Sequence, residues 1–373
     1  MSTRPMSLAD RFAGLRDALR GLSMRSRLTG VAMLLLLIAL FEPHWKTTRD
    51  AFDFVVTLDV TQSMNVMDYE IDGKETSRLN YAKHTLRQVL PALPCGSRIG
   101  WSIFTEYRVL LLVAPIEVCD NYHELLDTLD RIDGRMAWAN ASEVAKGVFW
   151  SMRSVKELGG SHGVLFITDG HESPPLNPVL RPVLDAKSEK GQGYTYMDQT
   201  TWQNKPVYDG KPGDVRGLIV GVGGETLKPI PKLDPEGHPM GYWGADEVMQ
   251  IDVITAGRTG SAAGEKMVDE GGKAVATMKP TMTEHLSSLK DAYLAGFARE
   301  VELGYHRLSD PAGLLRAMTA PEFARPAPYQ ADVRVLLASI AFILLVIAHV
   351  PALLRIPRAR SLGRQAGKRF SRT

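Results

Sequence analysis

Several features are scarce or missing in this chain, and each absence narrows what it does. The net charge is only +2, from 44 basic and 42 acidic residues. So small a surplus argues against nucleic acid as a partner, because a phosphate backbone calls for a strongly basic face. No Ser-His-Asp or Cys-His arrangement can be placed, which argues against a hydrolase and against enzymes generally. The glycine-rich "GVGGE" at 221–225 lacks the spacing of a dinucleotide fingerprint and reads as loop. No internal repeat is visible. What remains is 373 residues, 45% of them hydrophobic and 23% charged, enough for two average domains or one large one with insertions.

Negative charge is scarce at the chain's two ends. Six arginines precede the apolar run 28–41, against Asp10 and Asp17. A second apolar run, 335–354, is followed by seven basic residues and no acid. The second run has about the 20 residues of a membrane span. The first is short and also resembles a signal-peptide core. A long preceding segment, the lack of a small-x-small cleavage site and the interface-like Glu42-Pro43-His44-Trp45 favour a retained anchor. With positive flanks inside, both termini are expected in the cytoplasm, and residues 45–330 on the opposite face, the bacterial periplasm. The expected organisation is a basic segment 1–27, transmembrane helices 28–45 and 333–354, an external domain 50–308 with insertions at 172–214 and 228–273, a Pro- and Ala-rich linker 309–332 and a basic tail 355–373. In the first segment Leu8, Phe12, Leu15, Leu19 and Leu22 share a helical face. That face fits equally well on anionic membrane lipid or on a partner subunit.

The external region alternates strand and helix patterns. Apolar runs at 53–59, 98–105, 108–115, 163–170 and 215–223 read as strands, and 77–93, 121–132, 142–158 and 283–303 as helices. Such alternation predicts an α/β fold with a central, mostly parallel sheet, which binds ligands at the carboxyl ends of its strands. The runs 98–105 and 108–115 flank Glu106-Tyr107 and predict an antiparallel hairpin. Extending that pairing beyond the strands places Cys95 beside Cys119, so the two cysteines are expected to form a disulfide.

At the end of the first of these strands stands "LDVTQSM", with Asp59, Thr61 and Ser63 at alternate positions. Residues two apart on an extended turn point the same way. A carboxylate and two hydroxyls in one place suit a hard divalent cation, Mg²⁺ or else Ca²⁺ or Mn²⁺; the soft ligands of a zinc site are absent. "ITDG" ends another strand in Asp169, and "WANASEVAKGV" places Ser142 before a helix. Helix capping by Ser142 and loop bonding by Asp59 would be the structural alternative. An aspartyl-phosphate enzyme would need a second carboxylate where Thr61 stands. His171 and Glu172 read as solvated loop rather than as a pair supporting Asp169 from behind or a partner contact.

With these residues in place, the chain resembles the von Willebrand factor A domain, a Rossmann-like α/β fold. That family carries Asp-x-Ser-x-Ser after a strand, a Thr in a later loop and an Asp after the fourth strand, together its metal-ion-dependent adhesion site. The resemblance covers about 52–225 and implies metal contact by Thr61, Ser63 and Ser142, with Asp59 and Asp169 acting through water. Thr61 stands for the family's first Ser, and Ser142 for its Thr. "IVGVGGETLKPIPKLDPEGHP" is similar to bacterial members anchored by helices at both ends, the aerotolerance-type proteins and the accessory proteins of periplasmic methanol dehydrogenase, implicated in calcium insertion. The resemblance implies a two-pass inner-membrane protein that binds a partner's Asp or Glu at its metal, in assembly or maturation of a complex. A structural subunit with a vestigial metal site is the alternative.

Overall fold

The structure, a computed structural model, describes residues 23–173, 175, 195–198, 203–206, 210–248, 250 and 282–353. The N-terminal leucine face, the basic tail, most of the insertion 172–214 and the stretch 251–281 lie outside the described residues. Two units separate, one formed by Met1–Thr47 with Pro328–Thr373 and the other by Thr48–Ala327.

The larger unit is built on one sheet. Its strands are β1 (His44–Asp59), β2 (Arg98–Thr105), β3 (Arg108–Glu117), β4 (Gly163–Thr168), β5 (Gly217–Gly221) and β6 (Gly304–Arg307), in the spatial order β6-β5-β4-β1-β2-β3, with β7 (Ala324–Asp332) also pairing β1. The β1–β2, β1–β4, β4–β5 and β5–β6 ladders are parallel and the β2–β3 ladder antiparallel. Helices cover both faces: α2 (Arg78–Val89), α3 (Tyr122–Arg131) and α6 (Pro311–Met318) on one, α4 (Val144–Leu158) and α5 (Asp291–Glu300) on the other. Two coverings explain the unbroken apolar run of a central strand. Along β1, Phe54, Val56 and Leu58 enter one core and Val55 the other, as the pleat requires. Thr57 faces the second core and is satisfied there by the hydroxyls of Ser102 and Ser151, at 2.7 and 2.6 Å.

Two sequence expectations give way. The helix expected over 283–303 begins only at Asp291. Upstream of it, Leu286–Ser287 pairs with Lys228–Pro229, and the Leu289 and Lys290 amides bond the carbonyls of Gly224 and Asp169. Those contacts use backbone groups that a helix would need. The expected linker 309–332 is likewise folded. It contributes α6 and β7 and buries Leu314, Met318 and Phe323, whose ring meets Phe54 edge-on at 5.3 Å.

In the smaller unit α1 (Met24–Ala39) and α7 (Arg334–Leu353) pack on each other, with Ala32, Ala341 and Ala348 buried and Leu34, Leu37, Phe342, Ile343 and Ile347 exposed. Among the described residues no helix is long and apolar enough to cross a membrane. Helix α1, in place of the span expected at 28–45, has 16 residues, about 24 Å against a hydrocarbon core of roughly 30 Å.

Cys95 and Cys119 are joined by a disulfide with Cα atoms 5.3 Å apart. The hairpin's register slips at bulges beside Gly100, where an added Cβ would lie 2.8 Å from the Val113 carbonyl oxygen. The strand ends meet nonetheless. The crosslink spans 24 residues, and a loop of that size restrains the unfolded chain by about 3 kcal/mol. Cys95→Ser with Cys119→Ser should therefore lower unfolding free energy by about that amount. Thiol titration of the denatured, unreduced wild type should find no free thiol.

Candidate functional site

The parallel register sets the site. Leu58 of β1 pairs with Ile167 of β4, so the strands end level and deliver Asp59 and Asp169 to one edge. Both side chains are fully buried. The chain after Asp59 is not the extended turn expected. It enters a 3₁₀ turn at Gln62–Asn65, with Thr61 just before it. The three side chains still converge: the Thr61 hydroxyl donates to Asp59 Oδ1 at 2.6 Å and lies 3.4 Å from Ser63 Oγ.

Each carboxylate is held by protein donors. Asp59 Oδ1 also accepts the Thr61 amide at 2.9 Å, and Oδ2 the Thr168 hydroxyl at 2.6 Å. Asp169 Oδ2 accepts Arg78 Nη1 at 2.5 Å and Ser287 Oγ at 2.8 Å, and Oδ1 accepts the His171 amide at 3.0 Å. Arg78 is itself fully buried and pairs with Asp68 at 2.7 Å as well. Burial is the largest influence on Asp169 and raises its pKa, but the Arg78 guanidinium, His171 and the hydrogen bonds from the His171 amide and Ser287 together outweigh it and hold the acid below its usual range. Asp59 has no such partner. Burial, with the charge of Asp169 beside it, pushes it up to about 7 against the pull of its hydroxyl donors.

Ser142 reaches the same place from another loop. Its amide and carbonyl exchange hydrogen bonds of 2.7 Å with Ser173, just past Asp169. On its other side the Glu106 amide bonds the Ala141 carbonyl and the Glu143 amide the Glu106 carbonyl. Three loops are thus stitched together by backbone. Capping does not account for Ser142: α4 starts at Val144, and the amides of Val144 and Ala145 are capped instead by Glu172, at 2.8 and 2.9 Å. Ser142 Oγ is buried without a hydrogen-bond partner.

Thr61, Ser63 and Ser142 line one cavity of about 180 Å³ with His171, Gln62, Asn140 and Trp243. Asp59 and Asp169 stand behind its wall. The insertion from Lys228 supplies a side of it: the hairpin Pro231–Leu233 with Pro239–Tyr242 leads to Trp243, whose Nε1 donates to Gln62 Oε1 at 2.7 Å. A second cavity of about 340 Å³ adjoins, sharing Gln62, Asn140 and Trp243. The arrangement fits a hard cation. Acids already engaged by protein donors supply charge from behind, hydroxyls face the opening, and Ser142 Oγ has nothing else to bind.

The structure corrects the reading of His171 and Glu172 as solvated loop: both are buried. Arg78, Thr168 and Ser287 also went unread. Arg78 did leave a trace, since it falls on the same helical stripe as Ala82, Leu86 and Val89, where a charge is out of place. Ser287, within a stretch read as helix, left none.

No known family profile matches the sequence, and no curated protein matches it. Similar solved structures include an aerotolerance-related membrane protein from Bacteroides fragilis and BatB from Bacteroides thetaiotaomicron. Each is 15% identical with a TM-score of 0.41; they cover 72% of this chain and 96% and 95% of their own. A von Willebrand factor type A structure from Catenulispora acidiphila is 10% identical over 80% of this chain and 46% of its own, with a TM-score of 0.34. These likenesses are loose, and the functional reading below rests on the site.

Two consequences follow from the buried charges. Removing one partner of a buried ion pair strands the other, so Arg78→Leu should cost about 3–5 kcal/mol of stability by denaturant titration. Burial also pushes Glu172 from 4.5 up to about 8, although Tyr293 and two amides donate to it. The folded state then holds a proton that the unfolded state releases. The stability tied to that proton is full below pH 4.5 and is lost as pH rises through about 8. Melting temperatures of Glu172→Gln should lack that component of the decline.

Proposed function

We propose that this chain is a membrane-anchored von Willebrand factor A-type domain that binds a divalent cation and, through it, a partner protein. Thr61, Ser63 and Ser142 would contact the ion, with Asp59 and Asp169 behind them acting through water. Mg²⁺ is the reference ion, with Ca²⁺ or Mn²⁺ as alternatives. The carrying observation is Ser142 Oγ, buried without a partner in a residue that lines the same cavity as Thr61, whose hydroxyl already donates to Asp59. A hydroxyl whose proton points at Asp59 turns a lone pair outward, the orientation a cation needs. Few charged groups would touch the ion directly, so it stays electrophilic and can accept an Asp or Glu from a partner. The adjoining second cavity leaves room for side chains flanking that acid.

The smaller unit supports anchoring. Alanines between α1 and α7 with large apolar side chains outside are the reverse of a water-facing pair, and suit lipid. The basic flanks support a topology with both termini in the cytoplasm and the larger unit in the periplasm. The role is non-enzymatic, in assembly or maturation of a periplasmic or membrane complex, with membrane lipid and a protein as partners and no nucleic acid. One observation favours a second reading, a structural subunit with a vestigial site. Arg78 already supplies Asp169 with a cation from the protein itself.

Calorimetric titration of the full chain with Mg²⁺ and Mn²⁺ separates the two. Saturable binding that Asp59→Ala abolishes, with circular dichroism unchanged, is expected; binding indifferent to Asp59→Ala, or none, would leave the vestigial reading. Crosslinking in membranes should then capture a partner that EDTA releases.

A further inference from the structure

We infer that His171 is a nitrogen ligand of this cation site and tilts it from Mg²⁺ toward Mn²⁺. This rests on the cation-site reading above. His171 lies two residues past Asp169, on the loop that leaves β4. Its amide is tied to Asp169 Oδ1 at 3.0 Å. Between them Gly170 takes φ of +77°, and an added Cβ there would lie 2.9 Å from Leu294 Cγ. The backbone of this loop is therefore held by the same acid that backs the site and by the close packing at Gly170.

His171 lines the same cavity as Thr61, Ser63 and Ser142. The residue is 3% exposed, and its Nδ1 is buried with no hydrogen-bond partner. Leaving such a group unsatisfied costs about 1–3 kcal/mol. Two orphaned polar atoms, Ser142 Oγ and His171 Nδ1, belong to residues that share one cavity. Neither is served by a neighbouring side chain or amide, and an oxygen and an imidazole nitrogen are both atoms that a cation accepts. Glu284 and Glu247 line the cavity and Asp59 and Asp169 are buried near it, with Glu247 paired to Lys232 and Asp169 to Arg78.

An imidazole changes which ion is preferred. Mg²⁺ gains little from nitrogen and holds to oxygen and water. First-row transition cations accept imidazole readily, and Mn²⁺ also accepts the oxygen-rich remainder of this set. A site of hydroxyls alone would not separate the two ions in this way.

The test is pulsed electron paramagnetic resonance on the untagged full chain loaded with Mn²⁺. Wild type is expected to show ¹⁴N modulation from a directly bound imidazole. His171→Ala and His171→Gln should lose it. Both variants should weaken Mn²⁺ binding about tenfold more than they weaken Mg²⁺ binding. The ratio of the two affinities is unaffected by a general loss of folded protein. Mn²⁺ bound in wild type at a site that Asp59→Ala abolishes, but without ¹⁴N modulation, would overturn the role of His171 alone. No ion bound at such a site would overturn both this inference and the reading beneath it.

Discussion

Everything at the site depends on the level ending of β1 and β4. Parallel pairing of Leu58 with Ile167 brings two carboxylates out of water at neighbouring positions. Taking a charged group into the interior costs several kcal/mol unless something compensates. The chain compensates the two acids differently. Asp169 receives a buried guanidinium, and its charge is secured. Asp59 receives hydroxyls and an amide, and sits at about 7, on the edge of ionisation at neutral pH. One acid is thus given a full counter-charge by the fold, and the other only neutral donors.

The loops that complete the site are irregular but not loose. Glu106, Ala141, Ser142, Glu143 and Ser173 exchange backbone hydrogen bonds between the β2–β3 turn, the approach to α4 and the exit from β4. Glu172 adds a side-chain tie from the Asp169 loop to the first amides of α4. Precise placement of a hydroxyl on a loop needs such ties, because a loop has no ladder of its own. The insertion beginning at Lys228 brings Trp243 against Gln62 and gives the cavity a wall outside the sheet.

Much of the fold was readable because a strand covered on both faces is apolar nearly throughout, as in residues 53–59 and 163–168, and because helices over it carry a stripe, as in Val144, Val148, Met152 and Val155. Reading failed where long-range pairing overrode local pattern. Residues 283–290 have helical spacing, yet Leu286–Ser287 is claimed by Lys228–Pro229. Residues 309–332 have the composition of a linker, yet Phe323 finds Phe54 on the far-off first strand.

The sequence by itself determined which oxygen-bearing side chains stand at or just past the strand ends, Asp59, Thr61, Ser63 and Asp169, because the place where an apolar strand ends is a local property of the chain. It also fixed the hairpin that joins Cys95 to Cys119. Only the tertiary structure decided what those side chains meet. Arg78 reaches Asp169 across 91 residues and Ser287 reaches it across 118, and burial of His171 and of Ser142 Oγ is created by segments remote from both. Charge compensation and desolvation depend on distance through space, and no local pattern carries that distance.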